Sequence, residues 1–499
     1  MRDGVGSSFL IPGAGETRCG CITPESMDTA GEALYQQRLH RYVTAMRNGR
    51  PDAVPIRPFA AEFAAKVAGM NGQEVTQDYE LAFEAVRCCA EQFDWDAMVP
   101  NMVYVWGVIP QLLGSRYYAI PGVGLDPGTG FQYLEPGEGE AWMPAEDYDA
   151  LIADPTAYLL ERWMPRTNRD LAAPGEANTT GNNLAWLRGG MAVMDYFGAM
   201  GRAVARMRDE CAMPSAIAGI LKSPFDILAD KFRGYIGLTM DLFERPDKVH
   251  AAAEAMMPHM YQIARSTADP ERVLPVTIWM HRGCVPFITP EQFDRFHWPV
   301  LRPIIEALWA DGIQTLFYAE GVWHHHWDAF LELPEGSIIV HCDRDDVFAA
   351  KRKLGHKFAV SGGIPNTLLS FGQPDEVRAF CRRLLDEVAV DGGYIMDAGA
   401  IMQDDTSIEN MRALTDYARE HGVYSQSAPA PERRGMPEGF EPDPRLHPPH
   451  PRPAGTVVPA AEEIARLPEI VGDRAIVERT LGGIDAWAYA FLWHCVVSF

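Results

Sequence analysis

The stretch Ile313–His341, IQTLFYAEGVWHHHWDAFLELPEGSIIVH, reads as strand, loop, helix, turn and strand. Ile313–Ala319 is an apolar run that ends on Glu320, and Ser337–Val340 is a second run that ends on His341. Both runs are too short for helices and are rich in β-formers. A carboxylate and an imidazole therefore close two consecutive strands. In a parallel α/β barrel the C-terminal strand ends form the face on which sites are built. Glu320 and His341 are thus the leading candidates for a catalytic pair. His324–His326 follow the glutamate, and Cys342 and Asp343 follow the histidine.

Outward from this stretch the alternation continues. Val276–Met280 is a strand ending on His281 and Arg282. Thr289, Pro290 and Gln292 open a helix as a capping box, which Asp311 and Gly312 stop. After His341 come a helix to Leu354, a strand at Phe358–Val360, a helix over Pro374–Val390, a strand at Tyr394–Asp397 and a helix ending at Gly422. Upstream, Ala33–Arg47 has helical spacing, Ala53–Phe59 reads as a first strand carrying Arg57, and Glu80–Phe93 and Ala97–Tyr104 read as helix and strand. Residues 115–145, rich in Gly, Pro and aromatics, read as an insertion or hairpin. Helical patterns return at Asp149–Trp163 and Asn183–Arg208. Ala216–Lys222 leads into SPFDILADKFRG, and Pro246–Ser266 is helical. Strand alternating with helix is the signature of a parallel sheet. The length of 499 residues and the early strands favour a closed barrel. The expectation is a single-domain (β/α)8 TIM barrel over 31–424, a disordered N-terminal extension over 1–30, and a disordered C-terminal extension over 425–499 that is Pro-rich, a linker or tail over 425–455, with a short helix after it.

The bulk composition excludes several classes. A hydrophobic content of 47% supplies a full core. A formal charge of −24 argues against a nucleic-acid partner, which needs a basic footprint. There is no apolar run near the roughly 20 residues of a membrane span, and no signal-peptide pattern. The nine cysteines are scattered with no CxxC pair, which speaks against a zinc ribbon or disulfide framework. Reduced thiols in a cytoplasm fit this pattern.

Blocks along residues 33–424 resemble the uroporphyrinogen decarboxylase superfamily. They are VPIRPF, SPFDILADKFRG, TPEQFDRFHWPVLRPII, SGGIPNTLLSFGQPDEV, GGYIMDAG followed by IENMRAL, and EHGVY. The resemblance implies a (β/α)8 barrel and one of two activities: decarboxylation of a porphyrinogen in porphyrin biosynthesis, or corrinoid-linked methyl transfer with zinc. The departures discriminate. Decarboxylases carry paired arginines where this chain has RPFAAEF with Arg57 alone, and a histidine where this chain has Ala400. The thiol-methylating branch carries cysteines where this chain has Asp343 and Ala400. The substrate-side methyltransferases of ether O-demethylase systems use glutamate and histidine as zinc ligands at the separation of Glu320 and His341. A zinc without thiolates is the harder Lewis acid and suits an ether oxygen.

The resemblance therefore implies zinc on Glu320 and His341, with Asp343 or His281 assisting. It implies Glu320, His341 and His281 in catalysis, a methylated small molecule as donor, and a corrinoid on a partner protein as acceptor. Arg57, Trp106, Trp279 and Trp323 are the expected substrate contacts, and a homodimer is the expected assembly. The alternative is a decarboxylase or lyase acting on a porphyrinogen or a smaller acid. In it Arg57, Lys222 and Arg282 hold carboxylates while His341 and Glu320 serve as acid and base. A catalytically silent barrel subunit is the non-enzymatic alternative. Plainer roles fit the remaining residues. His324–His326 read as solvated loop histidines, Cys342 as buried on the face opposite His341, Asp345 and Asp346 as helix caps, and Arg233 as a brace.

Overall fold

The computed structural model describes residues 29–99, 106–137, 139–432 and 435–497. The expected N-terminal extension, up to residue 28, lies outside them, as does the end of the expected strand Ala97–Tyr104. Strands β1 (Tyr118–Pro121), β2 (Gly124–Leu125) and β3 (Gln132–Tyr133) form a small sheet within the expected insertion. Strands β4 (Gly219–Lys222), β5 (Val276–Met280), β6 (Thr315–Ala319), β7 (Ile338–Cys342), β8 (Ala359–Gly362) and β9 (Tyr394–Ile395) form a parallel sheet in sequential order.

Two further extended segments close this sheet into a ring. Arg57 N–H donates to Met396 O at 3.0 Å and Met396 N–H to Pro55 O at 2.8 Å. Asp96 N–H donates to Ile56 O at 2.9 Å, Ala216 N–H to Met98 O at 2.8 Å, and Ala218 N–H to Pro275 O at 2.8 Å. The order is thus 55–57, 96–98, β4, β5, β6, β7, β8, β9 and back, the eight-stranded barrel that the sequence implies. Pro55 and Pro58 lack an N–H to donate, which limits the first segment to isolated bridges.

Register separates the two faces. Leu316, Ile339 and Ala359 pair in one row, and Tyr318, His341, Ser361 and Ile395 in the next. These rows point into the barrel, whereas Phe317, Val340 and Val360 between them pack against the helices. Cys342 joins the helix-facing set and is buried, as its parity requires. Helix Thr29–Met46 plugs the N-terminal end of the barrel with Tyr42, Ala45 and Met46, and the Tyr42 hydroxyl donates to Ala216 O at 2.8 Å.

The tail differs from the expected Pro-rich strap with a short helix. It ends in the 24-residue helix Arg474–Val497, whose last turns are buried. His259 Nδ1 lies 2.8 Å from the Tyr489 hydroxyl, and the His259 ring stacks on Trp493 with centroids 4.4 Å apart. Trp493 Nε1 donates to Thr156 Oγ1. The proline density of 425–455 leads one to expect a linker or disordered segment, yet Arg445 pairs with Glu254 at 2.6 Å and His450 Nε2 lies 2.9 Å from Ala153 O, and just beyond it Val457 and Val458 donate their N–H groups to Asp485. A proline-rich chain needs few internal hydrogen bonds and is held through its side chains and carbonyls.

Candidate active site

At the C-terminal ends of β4 and β5 four ionisable side chains meet. Lys222, the last residue of β4, donates from Nζ to Asp230 Oδ2 at 2.8 Å. His281 Nε2 lies 2.5 Å from the same oxygen, and Arg282 Nε donates to Oδ1 at 2.7 Å. Asp230 stands on a π-helical turn, Leu228–Phe232, inside the SPFDILADKFRG block. Such a turn re-aims side chains and recurs at functional sites. Here it lets both Asp230 and Lys231 line the same cavity. Asp226, one turn earlier, accepts the backbone N–H groups of His281 and Arg282 at 3.0 and 2.7 Å. Its other oxygen lies 3.1 Å from His297 Nε2. Asp226 thus fixes the loop after β5, and Asp230 orients the ring that the loop carries.

The electrostatics follow from this packing. Burial pushes the Asp230 carboxyl up, but His281, Lys222 and Arg282 overcome it and hold it well below the usual carboxylate range. Burial works against the His281 imidazolium, yet Asp230 outweighs it and raises the pKa. His281 Nδ1 makes no hydrogen bond among the described residues and sits 3.8 Å from Glu320 Oε2. Glu320 is shifted upward, first by burial, against the pull of His281. The His281 ring lines the cavity, is held at Nε2 by Asp230 and keeps its Nδ1 buried beside Glu320, the arrangement of a proton donor set against a carboxyl group.

That space is a cavity of about 730 Å³. Glu320, His281, Arg282, Lys222 and Asp230 line one part of it, with Tyr117, Tyr118, Tyr133 and Phe59 around them. Tyr117 and Tyr133 donate their hydroxyls to the Asp230 carbonyl. Lys231 Nζ donates to the Tyr118 hydroxyl at 2.8 Å and lies over the Tyr117 ring. Burial and the neighbouring Lys222 push the Lys231 pKa well down.

The other expected site residues lie elsewhere. His341 is fully buried. Its Nε2 lies 2.9 Å from Gly399 O and its Nδ1 3.0 Å from Ser361 Oγ. A carbonyl only accepts, so Nε2 carries the proton and Nδ1 accepts from Ser361, whose oxygen in turn accepts from Arg57 Nη2 at 3.0 Å. Arg57 is also fully buried and pairs with Asp397 at 3.2 Å. Asp343 Oδ2 accepts the Gly321 N–H. As arranged, His341 offers no lone pair to a metal. No group of three His, Cys, Asp or Glu side chains among the described residues is placed to hold one. Glu320, His341 and Asp343, as arranged, do not form the zinc site that the resemblance implies.

Of the expected aromatic contacts, Trp279 lines the cavity. Trp106 packs on Tyr79 and Tyr196 and donates to Gln77 O. Trp323 is buried and donates to the Glu320 carbonyl, so it supports Glu320 from behind. His326 is buried on Phe293, and His324 Nδ1 lies 3.0 Å from Asp345. Asp346 caps the following helix, whereas Asp345 holds the 323–324 loop. Arg233 braces the structure through Asp241 and Met143 O. Sequence reading missed Asp230. Its signal was two carboxylates four residues apart, Asp226 and Asp230, within an otherwise apolar helical run.

The fold is a (β/α)8 barrel with a cluster of ionisable side chains at the ends of β4 and β5. Residues 191–421 match the family model of uroporphyrinogen decarboxylase (URO-D), and over this span the chain is uroporphyrinogen decarboxylase-like. A methyltransferase from Methanosarcina mazei has a similar fold, with a TM-score of 0.51 at 14% identity, covering 77% of this chain and 98% of that one. No curated protein matches the sequence.

Proposed function

We propose that this barrel is an enzyme that removes a methyl group from an oxygen of a small molecule. The acceptor is a reduced corrinoid carried by a separate protein, which acts as co-substrate and supplies the nucleophile. The observation that carries the reading is His281, held by Asp230 at Nε2, with its ring on the wall of an aromatic-lined cavity and its Nδ1 beside Glu320. The carbon–oxygen bond breaks and its electrons stay on oxygen. That oxygen takes a proton from the His281–Glu320 pair, whose Nδ1 and Oε2 stand 3.8 Å apart, while Asp230 keeps the ring oriented. Tyrosines and Trp279 exclude water from the breaking bond. The uroporphyrinogen decarboxylase-like span and the fold likeness to a methyltransferase support the class.

A second reading is favoured by one observation: Lys222 and Arg282 flank the acid and suit a carboxylated substrate. It is loss of carbon dioxide, with His281 protonating the resulting carbanion. Mixing the protein with reduced cobalamin and a panel of methyl ethers separates the two. Methyl transfer yields methylcobalamin with the wild type and not with His281→Gln. Carbon dioxide release without methylcobalamin from any donor selects the second reading instead.

A further inference from the structure

The cavity is larger than a proton-transfer site needs, and one wall comes from the C-terminal helix, outside the span that matches the family. Gly483, Ala486, Trp487, Ala490, His494 and Val497 line it. Their spacing of three and four places them on one helix face. A Cβ at Gly483 would meet nothing within 4 Å. Small residues on this wall thus leave room where larger ones would fill the space. Phe197 and Met200 of helix Thr180–Cys211 line the cavity too, with the Phe197 ring 4.8 Å from that of His494, so this part of the wall is mainly apolar. Trp487, 49% exposed, marks its rim. The other part is the charged mouth, where Lys222, His281 and Arg282 surround Asp230 on the cavity wall, while buried Asp226 behind the loop is taken up by backbone N–H groups and His297. Glu135 lies 3.5 Å from Arg282 at the rim, and burial holds Glu320 toward its neutral form. One end therefore favours an anion and the other an apolar body.

We propose that the cavity binds an amphipathic small-molecule acid, its carboxylate at Lys222 and Arg282 and its alkyl or aryl body along the C-terminal helix. The inference takes the site proposed above as the place where substrate sits. Its test reads binding alone, so failure of methyl transfer and failure of this assignment are separate results. Calorimetry on the full chain uses straight-chain carboxylates from hexanoate to dodecanoate and their primary amides. Affinity rises by about fourfold per methylene until the apolar end is full. Each amide binds at least about tenfold more weakly than its acid. Gly483→Leu, which enters open space and favours the helix, cuts the longest acid's affinity by about tenfold and leaves hexanoate within about threefold. Ala490→Phe does the same from a second position. No binding by any acid, equal affinity for acid and amide, affinity flat with chain length, or unchanged long-chain binding in both folded variants overturns the assignment.

Discussion

On one side of the barrel, at the ends of β4 and β5, Lys222, His281 and Arg282 gather round Asp230 and face a cavity. On the other, among β7, β8 and β9, Arg57, His341 and Ser361 lie beside Asp397 and are fully enclosed. The residue types are nearly the same, and the physics is opposite. In the open cluster the surrounding cations hold the Asp230 pKa down, and Asp230 raises that of His281. In the enclosed cluster burial pushes Asp397 up to about 7, and burial with Arg57 pushes His341 well down. Position at a strand end does not decide function; the number of cations around the carboxylate and the presence of open space do.

The largest contrast is in catalysis. His281→Gln lowers the methyl-transfer rate by about 10²–10⁴-fold, the usual worth of a positioned general acid. His341→Gln leaves the rate within about threefold and lowers the melting temperature. Steady-state rates paired with thermal unfolding measure both, and a reversed ranking breaks the comparison.

Stability comes next. Arg57→Met leaves Asp397 buried without its cation and costs about 3–5 kcal/mol in urea unfolding at neutral pH. The folded pKa of Asp397 is raised, so its contribution is favourable below the unfolded value and is lost as pH rises through about 7. Removing Arg57 raises the Asp397 pKa further, so the variant's deficit grows as pH rises above about 7. A deficit that shrinks with rising pH contradicts the assignment.

Smaller effects concern the two histidines. His341 stays neutral in the fold, whereas the unfolded chain takes its proton below about 6.5. Stability therefore falls as pH drops below that value. His281 has the opposite sign: its raised pKa stabilises the fold below about 6.5, and that stability is lost as pH rises through the folded value. Asp230→Asn removes the anion that holds the proton, and moves the alkaline limb of the pH–rate profile to lower pH. The smallest expected effect is that of a chelator. Both nitrogens of His341 are occupied, so treatment with EDTA leaves the methyl-transfer rate unchanged. Loss of activity that zinc restores would contradict this geometry.

The barrel was legible because its later strands are short apolar runs between capped helices, and β6 and β7 fall where Ile313–His341 indicates. His281 and Glu320 were legible as strand-end residues. The pairing of Glu320 with His341 was not. Parity points His341 into the barrel, where Tyr318 stacks on it at 4.1 Å and Ser361 and Gly399 take up its nitrogens. Glu320 lies beyond the end of its strand, and its side chain meets His281 instead. Spacing along the chain carried no information on that turn. Asp230 was hidden because a π-helical turn changes which faces consecutive residues present. The C-terminal helix was obscured by the proline-rich segment before it, although Tyr489–Val497 is apolar enough to require burial.

The central claim is that His281 is the charged imidazole and His341 the neutral one. Nitrogen-15 NMR of histidine-labelled protein, assigned with His281→Gln and His341→Gln, tests it most directly. The account predicts that His281 is protonated on both nitrogens at pH 6 and titrates above about 6.5. It predicts that His341 keeps a single proton on Nε2 over the whole range in which the protein stays folded. A neutral His281 at pH 6, or a His341 that titrates near the ordinary histidine value, would contradict it.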